Sequence, residues 1–103
     1  MRPLTGTRIL DLSRLLPGPF ATLVLADLGA TVDKLEDAGM GDYLRRTPPQ
    51  IAGESATFHA LNRGKRSAVL DLKHPAGSAA FRRLVRSYDV LFDQFRPGVL
   101  ARS

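Results

Sequence analysis

Arg63, Lys65 and Arg66 stand around Gly64, directly ahead of the short apolar run Ala68–Leu72, and Lys73, His74 and Pro75 follow that run. Cations at the ends of a strand suit phosphate, because arginine and lysine supply positive charge and N–H donors, and a following helix start adds free backbone N–H groups. The charge of the whole chain points the same way. Net charge is +5, but residues 1–44 carry four Arg/Lys against six Asp/Glu and residues 45–103 carry eleven against four. A basic second part implies an anionic partner: nucleic acid, a membrane surface or a small phosphorylated ligand. A solvated basic face with no partner accounts for the charge equally well.

Acid–base groups are few. His59 and His74 are the only histidines. His59, beside Phe58, reads as a structural or surface residue, and His74 as a cap for the helix that Pro75 opens. Asp11, at the end of an apolar run, reads as a hydrogen-bond acceptor. No catalytic-triad spacing or pair of metal ligands stands out. Gly39-Met40-Gly41 lacks the third glycine and the immediate helix of a dinucleotide fingerprint, and there is no P-loop. Without cysteine the chain has neither disulfides nor a thiol nucleophile, which agrees with a cytoplasmic protein.

The elements that would carry these groups alternate. Arg8–Leu12 reads as a buried strand and Ser13–Pro19 as a connection. Phe20, Leu23, Val24 and Leu28 fall on one helical face, which Gly29 ends. Thr31–Leu35 is a second strand, giving a βαβ unit with a parallel crossover. Residues 37–53, rich in Gly and Pro, read as a long loop with little regular structure, and Glu54–Leu61 as a short helix with Phe58 and Leu61 inward. Ser67–Leu72 is a third strand, with Val69 buried on both faces as in a parallel sheet. Gly77, Ala80, Phe81, Leu84, Val85 and Tyr88 share a helical face, which leaves Arg82, Arg83 and Arg86 to solvent. Asp89–Phe95 is a fourth strand, Arg96-Pro97-Gly98 a turn and Val99–Ser103 the start of a helix.

The fold class is therefore α/β: one domain, residues 1–103, with a partial Rossmann-like parallel sheet in the order βαβαβαβ that stops after its fourth strand. The last element is too short to be stable alone, which reads as a fragment of something longer. No apolar run approaches a membrane span, and no secretory leader is visible. In open parallel sheets ligands lie beyond the carboxyl ends of the strands. Those ends are Ser13–Pro17, Glu36–Gly41, Lys73-His74 and Gln94–Arg96. Lys73, Arg96 and Arg102 are candidate phosphate cations there. Nucleic acid is disfavoured, since neither an aromatic platform nor a recognition helix is present.

Four blocks carry a family resemblance. They are Arg8–Ser13 with Leu16–Phe20; Leu25–Ala30; Asn62–Ser67 with Leu70–Lys73; and Asp89–Leu91 with Phe95–Gly98. In this order they resemble the N-terminal part of the class III CoA-transferases, the family of formyl-CoA and carnitine CoA-transferases and α-methylacyl-CoA racemases. The wording Leu-Pro-Gly-Pro-Phe and Arg-Gly-Lys-Arg-Ser leans toward the racemase-like branch. The resemblance implies an enzyme that transfers CoA between carboxylic acids or racemises 2-methylacyl-CoA esters. It implies coenzyme A or acyl-CoA as substrate, no metal, a homodimer in the full-length protein, and no nucleic-acid or membrane partner. It places CoA contacts on Leu16 and Pro17, on Leu70, Asp71, Leu72 and Lys73, on Gln94, Phe95 and Arg96, and on Arg102. The family's catalytic residues would lie beyond residue 103, so none is assigned here and the segment alone is expected to be inactive. Asp37 departs from the pattern: several members have an arginine there for CoA. A non-enzymatic CoA- or nucleotide-binding module is the alternative.

Overall fold

The structure, a computed structural model, describes residues 2–39 and 41–94. The first two strands are buried on both faces, and the side chains on each face set the layers. β1 (Arg8–Asp11) pairs in parallel with β2 (Thr31–Asp37), with Ile9 opposite Val32 and Asp11 opposite Lys34. Successive side chains point to opposite faces, so Ile9 and Val32 lie on one side and Leu10, Leu12 and Leu35 on the other. Helix α1 (Pro17–Asp27) covers the first side, where Leu25 and Ala26 meet Ile9, Ala30 and Val32. Its first turn holds prolines, whose missing N–H groups need no partner there, and Gly29 at φ 108° ends it as expected.

A 3₁₀ turn (Tyr43–Arg46) and an antiparallel hairpin of β3 (Gln50–Ile51) and β4 (Glu54–Ser55) follow β2. The stretch 37–53 is thus more structured than its composition suggests. These elements are too short to show a hydrophobic period, and local hydrogen bonds define them. Helix α2 (Ala56–Asn62) comes next, with Ser55 as its cap and Phe58 and Leu61 buried with Leu44. β5 (Arg66–Leu70) pairs in parallel with β2. Helix α3 (Pro75–Val85) crosses the second face, where Phe81, Leu84 and Val85 pack on Leu10, Leu12 and Leu35, and it leads to β6 (Val90–Phe92) beside β1. His74 caps α3, its Nδ1 accepting from the Ala76 N–H.

The result is an α/β fold with a four-stranded parallel sheet in the order β5-β2-β1-β6. The chain adds strands on one side of β1, then returns to the other, so the topological switch lies between β1 and β6. The third and fourth strands are shorter than the sequence suggests. The turn at Arg96–Gly98 and the helix start at Val99–Ser103 lie outside the described residues.

Two expected faces are corrected. Along α1 the buried residues are Gly18, Pro19, Thr22 and Leu23, whereas Phe20 is 56% exposed and Val24 43%. A polar anchor sets the helix rotation: Thr22 Oγ1 donates to the buried Asp11 carboxylate at 2.6 Å. Val69 is 59% exposed, because β5 forms an edge of the sheet and pairs only with β2.

Gly77 fixes how closely the start of α3 approaches the turn that follows β5. A Cβ there would collide with the carbonyl oxygen of Asp71. Gly77→Ala is expected to destabilise the protein by about 1–3 kcal/mol, the usual cost of overpacking, seen as a lower urea midpoint with an unchanged slope.

Candidate functional site

The carboxyl ends of the strands collect most of the sequence-predicted positions. Leu16, 58% exposed, sits at the N-cap of α1, and Pro17 is its first residue. Leu70 closes β5. Leu70 and Leu72 are half-buried against the α3-side core, while Asp71 and Lys73 are exposed. The Asp71 carboxylate accepts from the Lys73 N–H at 3.1 Å, tying the turn before α3. Gln94 follows β6 and crosses the switch to the β1–α1 loop. Three strand spacings, about 14 Å, separate the ends of β5 and β6. Asp37, at the end of β2 opposite Leu70, adds an exposed carboxylate to this row. Phe95, Arg96 and Arg102 lie outside the described residues.

Beneath this edge, on the α1 and α2 side, is a group of buried charges. Asp11, Lys34, Asp42 and the Lys65 side chain are each 1% exposed or less. Asp11 accepts from the Ser13 N–H at 2.8 Å, from Ser13 Oγ and from Thr22 Oγ1, with Lys65 Nζ 3.5 Å away. Lys65 Nζ also donates to the Pro19 carbonyl at 3.0 Å and to Asn62 Oδ1 at 2.9 Å. Lys34 Nζ lies 2.8 Å from Asp42 Oδ2 and donates to the Ser13 carbonyl at 2.9 Å. Charge, not a well-directed hydrogen bond, holds that Lys34–Asp42 contact. The other oxygen, Asp42 Oδ1, accepts from the Leu15 and Leu44 N–H groups. Asp11 has the acceptor role its strand-end position suggests.

The cation cluster around Gly64 is built into the fold. Arg63 pairs with Asp27 of α1 at 2.9 Å, Lys65 with Asp11 of β1, and Arg66 with Asp33 of β2 at 2.8 Å. Each cation thus ties the α2–β5 connection to a different element. Burial draws the Lys65 ammonium down to a pKa of about 8, against the opposing pull of Asp11. Burial would raise Glu36, but donation from Arg45, Ser67 and the Asp42 N–H outweighs it and brings its pKa to about 2. Both Arg45 contacts to Glu36 are 2.7 Å, and the Arg45 guanidinium lies 4.0 Å over the Phe58 ring. The surface pair of His59 with Glu54 agrees with a non-catalytic histidine.

Lys34, Asp42 and Lys65 were not legible as a buried unit. One signal was available: Lys34 lies within a strand that reads as buried, and a lysine there needs a buried partner. Among the described residues no group of three or more His, Cys, Asp or Glu is placed to hold a metal ion. No described helix is long and apolar enough to cross a membrane.

Comparison with known proteins fits this architecture. The sequence model of CoA-transferase family III matches residues 4–103. The chain belongs to CoA-transferase family III. It is 45% identical over 100 residues to the acetyl-CoA:oxalate CoA-transferase of Acetobacter aceti, an alignment covering 97% of this chain and 26% of that protein. It is 47% identical over 107 residues to the succinate–glutarate CoA-transferase of Agrobacterium fabrum, covering 97% and 27%. Among solved structures, a CAIB/BAIF family protein from Brucella suis superposes with a TM-score of 0.87 at 40% identity, over 97% of this chain and 28% of that one. The chain thus spans about a quarter of the length of these family members.

Two outcomes follow from the charges. The carboxyl of Glu36 is depressed in the fold, so its stabilising contribution is complete above about pH 4.5 and is lost as pH falls toward about 2. Acid unfolding followed by circular dichroism should show this loss, and Glu36→Gln should flatten the curve in that window. Lys65→Met, which leaves Asp11 buried without its cation, is expected to cost about 3 kcal/mol. Arg63→Ala, at an exposed pair, should change stability by less than about 0.5 kcal/mol. Chemical denaturation of the two variants checks the contrast.

Proposed function

We propose that these residues form the amino-terminal, CoA-binding portion of an enzyme that transfers CoA between carboxylic acids. The observation that carries the proposal is the row of exposed residues at the carboxyl ends of the parallel strands, in a chain so similar to proteins named CoA-transferases. The residues suit such a ligand. Leu16 and Pro17 offer apolar surface to the adenine or pantetheine, and Lys73 offers an exposed cation to phosphate; Arg96 and Arg102 are further candidate phosphate cations in the proposal. Asp37 and Asp71 keep the row from being uniformly positive, so phosphate must sit toward Lys73 and away from Asp37.

No residue of this portion is given the acyl-transfer step. Asp11 and Asp42 are the carboxylates nearest the β1–α1 loop, and both are fully buried and held by several donors. Neither can reach an acyl carbon without dismantling the fold around it. The names of the relatives favour transfer over racemisation of 2-methylacyl-CoA esters. A homodimeric, cytoplasmic enzyme without a metal or a nucleic-acid partner completes the proposal.

Calorimetric titration of the purified protein with CoA tests it. Saturable binding of CoA is expected, with pantetheine, which lacks the phosphates, at least about tenfold weaker. Lys73→Ala should weaken CoA several-fold and leave pantetheine unchanged. Absence of saturable CoA binding, or equal binding of both compounds, would overturn the proposal.

A further inference from the structure

The loop from Ser13 to Gly18 carries Leu16 and Pro17 to the ligand edge, and side chains remote in sequence hold its backbone. Lys34 donates to the Ser13 carbonyl and Asp42 accepts from the Leu15 N–H at 3.0 Å. Gln94 takes two further groups: its Nε2 donates to the Arg14 carbonyl at 2.8 Å, and its Oε1 accepts from the Gly18 N–H at 3.1 Å. The loop needs this support, since Leu15 sits at φ 66°, a left-handed conformation that a branched residue adopts only when its surroundings impose it. Gly18 closes the arrangement. A Cβ at that position would collide with Ser13 Cβ and with Gln94 Oε1, so the loop and the Gln94 amide meet without a gap.

We infer that Gln94 is a positioning residue: it spans the switch between β1 and β6 and fixes the loop after β1, acting on CoA through Leu16 and Pro17. The inference rests on the CoA-binding proposal for what the loop carries, but its structural half stands without a ligand. Both ends of the amide engage loop backbone, one as donor and one as acceptor, which suits the carboxamide of a neutral Gln. Asparagine is one methylene shorter. Lys34 and Asp42 hold the loop from below through buried charges, so their removal disturbs the core. Gln94 is exposed and can be changed with little effect on the core.

Gln94→Met keeps the volume and removes both hydrogen bonds. In the ligand-free protein the Gly18 amide should then exchange about tenfold faster with solvent, with little change in the thermal midpoint, and CoA affinity should fall about tenfold. Gln94→Glu keeps an acceptor toward Gly18 and should restore the protection of that amide. Unchanged Gly18 exchange in Gln94→Met would overturn the inference, and a fall in CoA affinity without it would make Gln94 a direct contact. Should the wild-type protein fail to bind CoA, the ligand proposal is lost, while Gly18 exchange still judges the brace. Should Gln94→Met not fold, the Gln94 side-chain amide protons of the wild type decide: slow exchange supports the brace, and solvent-like exchange overturns it.

Discussion

Two lysines and two carboxylates are shut away from water beneath α1 and α2, and the geometry of the sheet's carboxyl end depends on them. A buried charge is tolerated only when opposite charge and directed donors or acceptors replace its hydration. Here the partners come from every element near the site. Asp11 stands on β1, Lys34 on β2, Asp42 at the start of the 3₁₀ turn and Lys65 after α2, with Thr22 of α1 and Ser13 of the loop completing the set. Satisfying these groups fixes how α1 rotates, where the 3₁₀ turn sits and where the loop after β1 leaves the sheet.

The same requirement explains a helix whose apolar side faces outward. A face chosen by hydrophobicity alone would bury Phe20 and Val24 in α1. The hydrogen bond from Thr22 to Asp11 and the close approach at Gly18 turn a narrower, smaller face inward. The row Leu16, Phe20, Val24 and Leu28 is left exposed, each four residues from the next, continuing the exposed surface of the β1–α1 loop down the helix. Polar satisfaction outweighs apolar area here because an unpaired buried carboxylate costs more than one exposed side chain gains on burial.

The basic cluster shows where reasoning from charge falls short. Three closely spaced cations suggest a site for an external anion, yet each has an anion within the fold, on α1, β1 and β2 respectively. Those acids lie 33 to 54 positions earlier in the chain, and only the tertiary fold brings them near, by sheet pairing for Asp33 and Arg66 and by the packing of α1 on α2 for Asp27 and Arg63. Lys73, beyond the other end of the same strand, remains on the surface at the carboxyl edge of the sheet. Ion pairing thus divides the group of cations into structural members and a candidate binding member.

The sequence by itself determined the alternation of strands and helices, the two proline helix starts, the stop at Gly29, the His74 cap and the α/β class. Each follows from local propensity, period or backbone chemistry, all of which act over a few residues. The family blocks were legible for the same reason, since they are contiguous. Only the tertiary structure decided that β5 is an edge, that the return to β6 places the switch beside β1, and that residues 43–55 hold a turn and a hairpin. It alone decided that Gln94 meets Arg14 and Gly18, and that Lys34 and Lys65 are interior. Those outcomes depend on which strand lies next to which and on charges that find partners many residues away. Nothing in the local pattern specifies either.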